Sequence, residues 1–225
     1  MAGSQDAPGS TSDSEERPVR RRPAVRVAIG VLLVAGMIYG WTAMGRQKSR
    51  KQAEAVNAVI AAGGSVYFDY QWKDGKLLEG GQPQQAAWLR RLVGPEFFDR
   101  AVAIDLREVE QPGDLLRSLR LMPYVVDLNV GGAVLEEGDL EAIGRCKGLE
   151  RLDLSRSSIS DQGVVRLDRL TNLVSLSLAT TEVSDRSLDT IGRLKKLRAL
   201  DVSRTSIRSK SRLSELLPHC RVTGP

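Results

Sequence analysis

The stretch from Leu149 to Cys220 repeats one pattern three times. It reads LERLDLSRSSISDQGVVRLDRLTN from Leu149, LVSLSLATTEVSDRSLDTIGRLKK from Leu173 and LRALDVSRTSIRSKSRLSELLPHC from Leu197, which gives a period of 24 residues. Self-similarity at such a period is typical of a solenoid, in which each short unit buries its apolar side only against its neighbours. The repeat therefore predicts the fold of the second half of the chain, and it favours partner binding over catalysis.

Two earlier units keep the same register. Their apolar residues at the first, fourth and sixth places are Ala101, Ile104 and Leu106, and then Val125, Leu128 and Val130. Alternation over so short a run predicts a strand, with Leu152 and Leu154 pointing inward and Asp153 pointing outward. We therefore expect about five strand-turn-helix units whose parallel strands line a concave face and whose helices form the convex one.

Each turn and helix carries its own signals. A hydroxyl at the ninth place (Ser157, Thr181 and Thr205) can bond the backbone of the turn. Ser160-Asp161 and Ser184-Asp185 predict helix starts, because their side chains can accept bonds from the free amides of a first helical turn. The apolar residues that follow at helical spacing are Val164, Leu167 and Leu170, and then Leu188, Ile191 and Leu194.

Residues 101–222 resemble the leucine-rich repeat family, through the L-x-x-L-x-L consensus and, most closely, units of the S-D-x-G type. Upstream, the pattern G-G-x-V-x-x-D-Y from Gly63 and W-L-R-R-L-x-G-x-x-F-F from Trp88 resembles the leader of membrane-anchored leucine-rich repeat proteins of planctomycete-type bacteria. The resemblance implies an α/β solenoid of short repeats, with irregular units at its ends, and a protein-binding role.

An uncharged segment near the N-terminus predicts one membrane-spanning helix. Val27 to Gly45 reads VAIGVLLVAGMIYGWTAMG, and at about 1.5 Å per residue it approaches the roughly 30 Å thickness of the hydrocarbon core. We assign residues 24–45 to this span. A cleaved signal peptide and a buried core helix are the alternatives. The long polar stretch before the segment disfavours the first, and the lack of partner helices disfavours the second.

The basic residues on the two sides of the span are almost equal in number, so the positive-inside rule gives only a slight preference. We expect a single-pass protein with its N-terminus in the cytoplasm and its repeats on the extracytoplasmic side. Gly36 and Gly40 form a G-x-x-x-G motif inside the span, which allows close approach of two helices and a weak homodimer. The same motif is also common by chance in apolar segments.

The remaining segments complete the predicted organisation. Residues 1–23 are polar and then basic and predict a disordered tail, and residues 46–64 predict a helical stalk. Residues 65–100 predict an N-terminal cap for the repeat domain at 101–225. Within the cap we expect a strand from Ser65 to Trp72, a hairpin turn at Asp74-Gly75 and a helix opening at Gln82-Pro83. The candidate buried residues of that helix are Ala87, Leu89, Leu92 and Val93.

Composition disfavours several functions. The chain has 225 residues and a formal net charge of +5, but no helix carries a basic stripe with aromatic partners, so we expect no nucleic-acid binding. His219 is the only histidine, which makes histidine-based triads and multi-histidine metal sites improbable. Cys146 and Cys220 lack zinc spacing and are interpreted as buried thiols. We expect no enzyme activity, no cofactor and no metal.

Charged and polar side chains on the predicted strands form a candidate protein-binding surface. The fifth place of successive units holds a polar residue that points outward, and neighbouring columns add arginines and one more acid. Such a mixed ladder on a rigid face suits a polar protein or peptide. The alternative is that these are ordinary solvating residues of the repeat. The candidates are Asp105, Arg107, Asp127, Asn129, Arg151, Asp153, Arg156, Ser177, Arg198, Asp201 and Arg204.

These observations lead to three functional hypotheses. The first is a membrane-anchored, non-enzymatic scaffold that binds a protein partner through its concave strand face. The second is an adaptor or substrate-recognition subunit of a larger, ubiquitin-ligase-like assembly, since S-D-x-G repeats resemble those of such receptors. The third is an envelope structural protein that binds polysaccharide, which the lack of serial aromatic residues on the strands disfavours.

Overall fold

The computed structural model of the protein describes residues 47, 49–78, 80–94 and 99–224. The predicted tail and the predicted membrane span, including Val27–Gly45 with Gly36 and Gly40, lie outside these residues. Among the residues that the structure describes, no helix is both long and apolar enough to cross a membrane.

The described chain forms one seven-stranded sheet flanked on one side by short helices. The strands of the sheet are β1 (Ser65–Phe68), β4 (Ala101–Asp105), β5 (Asp127–Asn129), β6 (Arg151–Asp153), β7 (Ser175–Ser177), β8 (Ala199–Asp201) and β9 (Arg221–Thr223). They follow one another in this order across the sheet. β1 pairs antiparallel with β4, and every later pair is parallel.

Each strand from β4 to β8 is followed by a short helix on the opposite side of the core. After α1 (49–61) and α2 (Ala87–Val93), the helices are α3 (Gly113–Ser118), α4 (Glu137–Gly144), α5 (Asp161–Val165), α6 (Leu188–Ile191) and α7 (Lys210–Leu216). Single 3₁₀ turns extend α3 at Leu119–Leu121 and precede α6 at Asp185–Ser187. This is the predicted α/β solenoid with the architecture of leucine-rich repeats.

The 24-residue register is confirmed by the strand pairing. Leu128, Leu152, Leu176 and Leu200 lie directly opposite one another on consecutive strands. Their side chains are buried, and so are the apolar residues predicted for the helical side, such as Leu167. Because the side-chain period of a strand is two, this register also places the third and fifth residues of every unit on the outer side of the sheet. We call that outer side the strand face.

The ninth-place hydroxyls behave as predicted. Ser157, Thr181 and Thr205 donate to the carbonyl oxygens of the sixth residues in their own units, at 2.6–2.7 Å. Each bond closes the turn after its strand without help from a neighbouring unit. These hydroxyls therefore supply donors to carbonyl oxygens at the ends of the strands.

The helix starts predicted from the Ser-Asp pairs are confirmed, since Asp161 begins α5 and Asp185 begins the 3₁₀ turn before α6, but the side-chain caps are weak or missing. Ser160 makes no capping bond, and Ser184 accepts only a long one, 3.4 Å from the amide of Arg186. The aspartates instead reach the next unit: Asp161 accepts bonds from the amide and hydroxyl of Ser184 and from the hydroxyl of Ser187. The Asp residues of these pairs therefore join consecutive units.

Asp185 repeats this contact one unit later. Its carboxylate accepts bonds from the amide of Arg208 at 2.8 Å and from the amide and hydroxyl of Ser209. The last unit lacks a Ser-Asp pair, yet Ser209 still supplies the donors that Asp185 needs. We call these two contacts the lateral carboxylate bonds.

The N-terminal cap uses more of the chain than the sequence indicated. Helix α1, which we predicted as a stalk, buries Ala55, Val56 and Val59 in the same core as the repeats, and Val59 is only 1% exposed. The side chain of Gln52 also donates to the carbonyl oxygen of Asp99. This helix therefore covers the open edge of the first repeat in addition to leading into it.

The rest of the cap differs from prediction in two places. The first strand ends at Phe68 instead of Trp72, because the chain turns back there to form a hairpin of β2 (Trp72–Lys73) and β3 (Lys76–Leu77). Helix α2 begins at Ala87, four residues after Pro83, and Ala87 is exposed although we expected it to be buried. The predicted hairpin turn is confirmed, with Asp74 and Gly75 both at positive φ.

Candidate ligand-binding groove on the strand face

The fifth-place column that we predicted as a binding surface is aligned by the sheet. Asp105, Asn129, Asp153, Ser177 and Asp201 lie opposite one another on five consecutive strands, and each is half-buried. The structure therefore brings these five predicted residues together in one row.

Four members of this column also have a structural role that the sequence reasoning missed. Asp105, Asn129, Asp153 and Asp201 each accept a hydrogen bond, through one side-chain oxygen, from the backbone amide two residues later, at 2.8–3.1 Å. This is the Asx turn, which favours Asp and Asn at the end of a strand. The recurrence of Asp or Asn just before each turn was the available signal.

The first members of the candidate surface neutralise one another. The guanidinium of Arg107 lies 2.6 Å from the carboxylate of Asp105. Burial alone would raise the pKa of Asp105, but the hydrogen bonds and the charge of Arg107 outweigh it and hold that pKa below its usual value. Asp105 is therefore ionised at neutral pH, and its charge is already balanced within the protein.

The third-place pair is also satisfied internally. Arg151 Nε lies 2.6 Å from an oxygen of Asp127 on the neighbouring strand, and the two side chains are only 25% and 17% exposed. The tip of the cap hairpin lies over this pair, since a side-chain carbon at Gly75 would come within 3.1 Å of Arg151 Nε. Asp127 and Arg151 are therefore paired with each other and lie beneath the hairpin tip, which makes them poor candidates for contact with a partner.

Aromatic rings support the hairpin on the same side of the sheet. Val66 and Phe68 pack against the core, so Tyr67 between them points to the strand face. The ring of Trp72 stacks on Tyr67 with centroids 5.0 Å apart. The cap thus covers the N-terminal part of the third-place column and leaves the places beyond the fifth uncovered.

The uncovered part of the strand face forms a groove of about 840 Å³. Its floor consists of small residues, among them Gly131, Ser155, Ala179 and Ser203, which follow the fifth place by two residues. The predicted residues that line it are Arg107, Asp153, Arg156, Ser177, Asp201 and Arg204. Glu108, Gly132 and Thr180 also line it, and the sequence reasoning did not select them, although the eighth places lie next to the fifth in every turn.

Arginines at the eighth place supply the positive charge of this groove. The backbones of Arg156 and Arg204 have φ of 59° and 57°, in the left-handed region, and Thr180 between them has 58°. The guanidinium groups of both arginines make no ion pair and no hydrogen bond with the residues described in the structure. Arg198, the remaining candidate, is exposed but lies outside the groove lining.

The groove combines charged side chains with small polar residues. Its charged side chains have opposite signs and stand on rigid turns, while its floor presents hydroxyls and open backbone. Over the described part of the chain, no three His, Cys, Asp or Glu side chains are grouped so that they could hold a metal ion. Cys146 lies elsewhere, on the helical side, where burial raises the pKa of its thiol to about 11.

Comparisons with known proteins leave the family of this chain open. No model of a known protein family matches it, and no curated protein matches it either. Solved structures that are similar to it include a leucine-rich repeat protein of Leptospira interrogans, with 23% identity and a TM-score of 0.37. That likeness covers 47% of this chain and 27% of the Leptospira protein.

Two internalins of Listeria monocytogenes are also similar in structure. One has 20% identity and a TM-score of 0.36, covering 48% of this chain and 36% of the internalin. The other, internalin C2, has 19% identity and a TM-score of 0.37, covering 59% of this chain and 74% of the internalin. This chain therefore spans about a quarter to a third of the length of the first two proteins. At these scores the likenesses support no argument about function or partner. The solenoid architecture is shown by the strand register of this chain.

Proposed function

We propose that this protein is a non-enzymatic scaffold, anchored in a membrane by residues 24–45, that binds a protein ligand in the groove on its strand face. The observation that carries the proposal is the pair of unpartnered arginines, Arg156 and Arg204, beside Asp153 and Asp201 on a rigid sheet. Charges that a protein leaves unpaired on a rigid surface favour electrostatic complementarity with a partner.

The proposal rests on only part of the set of residues selected from the sequence. Asp105, Arg107, Asp127 and Arg151 are satisfied within the protein. The groove residues face a concave space of about 840 Å³ and have capacity for further bonds. The proposed binding surface is therefore smaller than the eleven residues selected from the sequence, and it lies nearer the turns.

Site-specific photo-crosslinking tests the binding function. A photo-crosslinking amino acid at Ser177, which lines the groove, is expected to trap a defined partner in cells. The matched control is the same amino acid at Val165, which is 54% exposed but lies on a helix of the opposite side. A partner trapped from Ser177 and not from Val165 supports the proposal. Equal trapping from both sites, or none from Ser177, contradicts it.

The membrane anchor rests on the uncharged sequence Val27–Gly45. Deletion of residues 24–45 is expected to move the protein from the membrane fraction to the soluble fraction. Protease treatment of intact cells carrying a tag after Pro225 tests the proposed orientation, since loss of the tag places the repeats outside. A deletion variant that stays in the membrane fraction contradicts the anchor.

A further inference from the structure

The charges of the groove alternate from one repeat to the next. The units that begin at Leu149 and Leu197 place an aspartate at the fifth place and an arginine at the eighth, whereas the unit between them has Ser177 and Thr180. Charges of the same sign are therefore two strands apart. They form an acidic row, Asp153 and Asp201, beside a basic row, Arg156 and Arg204.

The spacing within each row is set by the backbone. The lateral hydrogen bonds of the sheet continue to the eighth place, from the amide of Arg156 to Ala179 O and from the amide of Thr180 to Ser203 O, both at 2.8 Å. Neighbouring strands lie roughly 4.8 Å apart, so two strands correspond to about 9.6 Å. Arg156 and Arg204 also share nearly the same φ, as expected for equivalent places of a repeat.

One peptide conformation repeats its side chains at this distance. A polyproline II helix has three residues per turn and a rise of 3.1 Å, so residues i and i+3 share an edge about 9.3 Å apart. Same-face residues of a β-strand are about 6.8 Å apart. In an α-helix, residues i and i+7 are about 10.5 Å apart. The polyproline II repeat therefore fits the two-strand spacing best.

Both charge rows need a counterpart in such a ligand. Asp153 and Asp201 each use one oxygen for an amide of their own turn, which leaves the second oxygen for a cationic donor. Glu108 adds a third acid to the lining, so a purely anionic ligand would be repelled from the groove that contains the arginines.

We propose that the groove binds a polyproline II peptide segment with the three-residue repeat acidic, basic, any residue. The acidic edge contacts Arg156 and Arg204, the basic edge contacts Asp153 and Asp201, and the third edge faces solvent. Residues i and i+3 of this helix, about 9.3 Å apart, correspond to the two strand intervals from β6 to β8 that separate the charges of each row. This inference rests on the proposed function and specifies the ligand of the same groove.

Binding of synthetic peptides to the purified full-length chain tests the proposal. The probe is a fluorescent peptide with four Glu-Lys-Pro repeats, measured by anisotropy at low and moderate salt. The control peptide has the same composition, but its Glu and Lys alternate every two residues and its prolines stand together at one end. We expect the three-residue repeat to bind at least about fivefold more tightly, with affinity falling as salt rises.

Matched variants locate the binding. Arg156→Asn with Arg204→Asn removes the two eighth-place cations of the groove, and asparagine tolerates the left-handed backbone at these places. We expect this double variant to weaken binding by about fivefold or more, since each exposed ion pair contributes a few-fold at most. Arg198→Asn removes an exposed arginine outside the groove and is expected to leave the affinity unchanged. Unchanged melting temperatures show that the variants fold.

Three results would overturn the proposal: equal binding of the two peptides, unchanged affinity in the double variant, or an equal loss in Arg198→Asn. Absence of binding by the Glu-Lys-Pro peptide would overturn it as well. The proposed function is decided separately by crosslinking from Ser177, because a trapped partner without a three-residue charge repeat would keep the groove and replace its ligand.

Discussion

The regular units between Leu149 and Lys196 and the cap at residues 49–100 cover the same apolar sheet by different means. In the regular units the buried apolar residues have the roles that their places in the 24-residue register predict. In the cap, α1 and β1 cover β4, the first strand of the repeats, through contacts that have no counterpart in the repeated units. Contacts between repeat units are predictable because every unit packs against a neighbour of the same kind. The end of the repeat, in contrast, must be covered by a segment of different sequence.

The regular units should respond most strongly to loss of core volume. Leu176→Ala opens a cavity between two neighbouring leucines of the same column, and we expect it to lower the free energy of unfolding by about 2–5 kcal/mol. Chemical denaturation of the purified protein measures this. A loss below about 1 kcal/mol would show that the stack tolerates voids and that the regular units are less tightly packed than the register implies.

The lateral carboxylate bonds distinguish the regular units from the cap. Asp161→Ala removes the acceptor for Ser184 and for Ser187, which is 1% exposed, so buried donors lose their partner. We expect a loss of about 1–3 kcal/mol in the free energy of unfolding. Asp168→Ala is the control, because Asp168 makes only a 3.9 Å contact with Arg193 and should change stability by less than about 0.5 kcal/mol.

The cap should be sensitive at α1 if that helix covers the solenoid. Val59→Ala removes buried volume at the junction with Leu106, and we expect a loss of about 1–2 kcal/mol. Ile60→Ala changes the neighbouring residue, which is 55% exposed, and should cost much less. Equal effects of the two substitutions would mean that α1 acts as a stalk and contributes no core.

Low pH should weaken the regular units through the same carboxylates. Burial alone would raise the pKa of Asp161, but hydrogen bonds from Ser184 and Ser187 outweigh it and lower that pKa below its ordinary value of 3.8. The pKa is thus lower in the folded than in the unfolded state. Its stabilisation is complete above about pH 4 and is lost as the pH falls through the folded-state value.

Unfolding of the native protein and of Asp161→Ala at a series of pH values measures this contribution. The difference in stability between the two proteins should shrink below about pH 4 and stay constant between pH 5 and pH 7. A difference that is independent of pH down to pH 2 would assign the effect of Asp161 to packing and not to its charge.

The smallest expected effect concerns the turns of the groove. Thr180 is β-branched and has a φ of 58°, a conformation that disfavours its side chain. Thr180→Asn should therefore stabilise the protein by about 0.5 kcal/mol. Arg204→Asn, at a similar φ but without β-branching in the native residue, should gain less. Destabilisation by Thr180→Asn would indicate that the threonine side chain supports the turn.

Four features were predictable from the sequence alone: the repeat, the strand register, the buried leucine columns and the hydrogen bonds of the ninth-place hydroxyls. These features depend on contacts that lie within one unit or recur identically between neighbouring units. A side-chain period of two along the strand and a period of 24 residues between strands are sufficient to specify them. The cap hairpin at Asp74-Gly75 was also predictable, because its turn residues are a local signal.

The packing of the folded chain determines which charged side chains are paired with other described residues and which are not. The sequence presents Arg151 and Arg156 as equivalent exposed arginines, yet Arg151 lies beside Asp127 under the hairpin while Arg156 faces the groove. The same holds for Asp161, whose partners belong to the next unit. Pairing depends on the lateral distance between side chains from different units and on where the hairpin folds back. Such distances are set by the packed backbone, and residue spacing along the chain does not encode them.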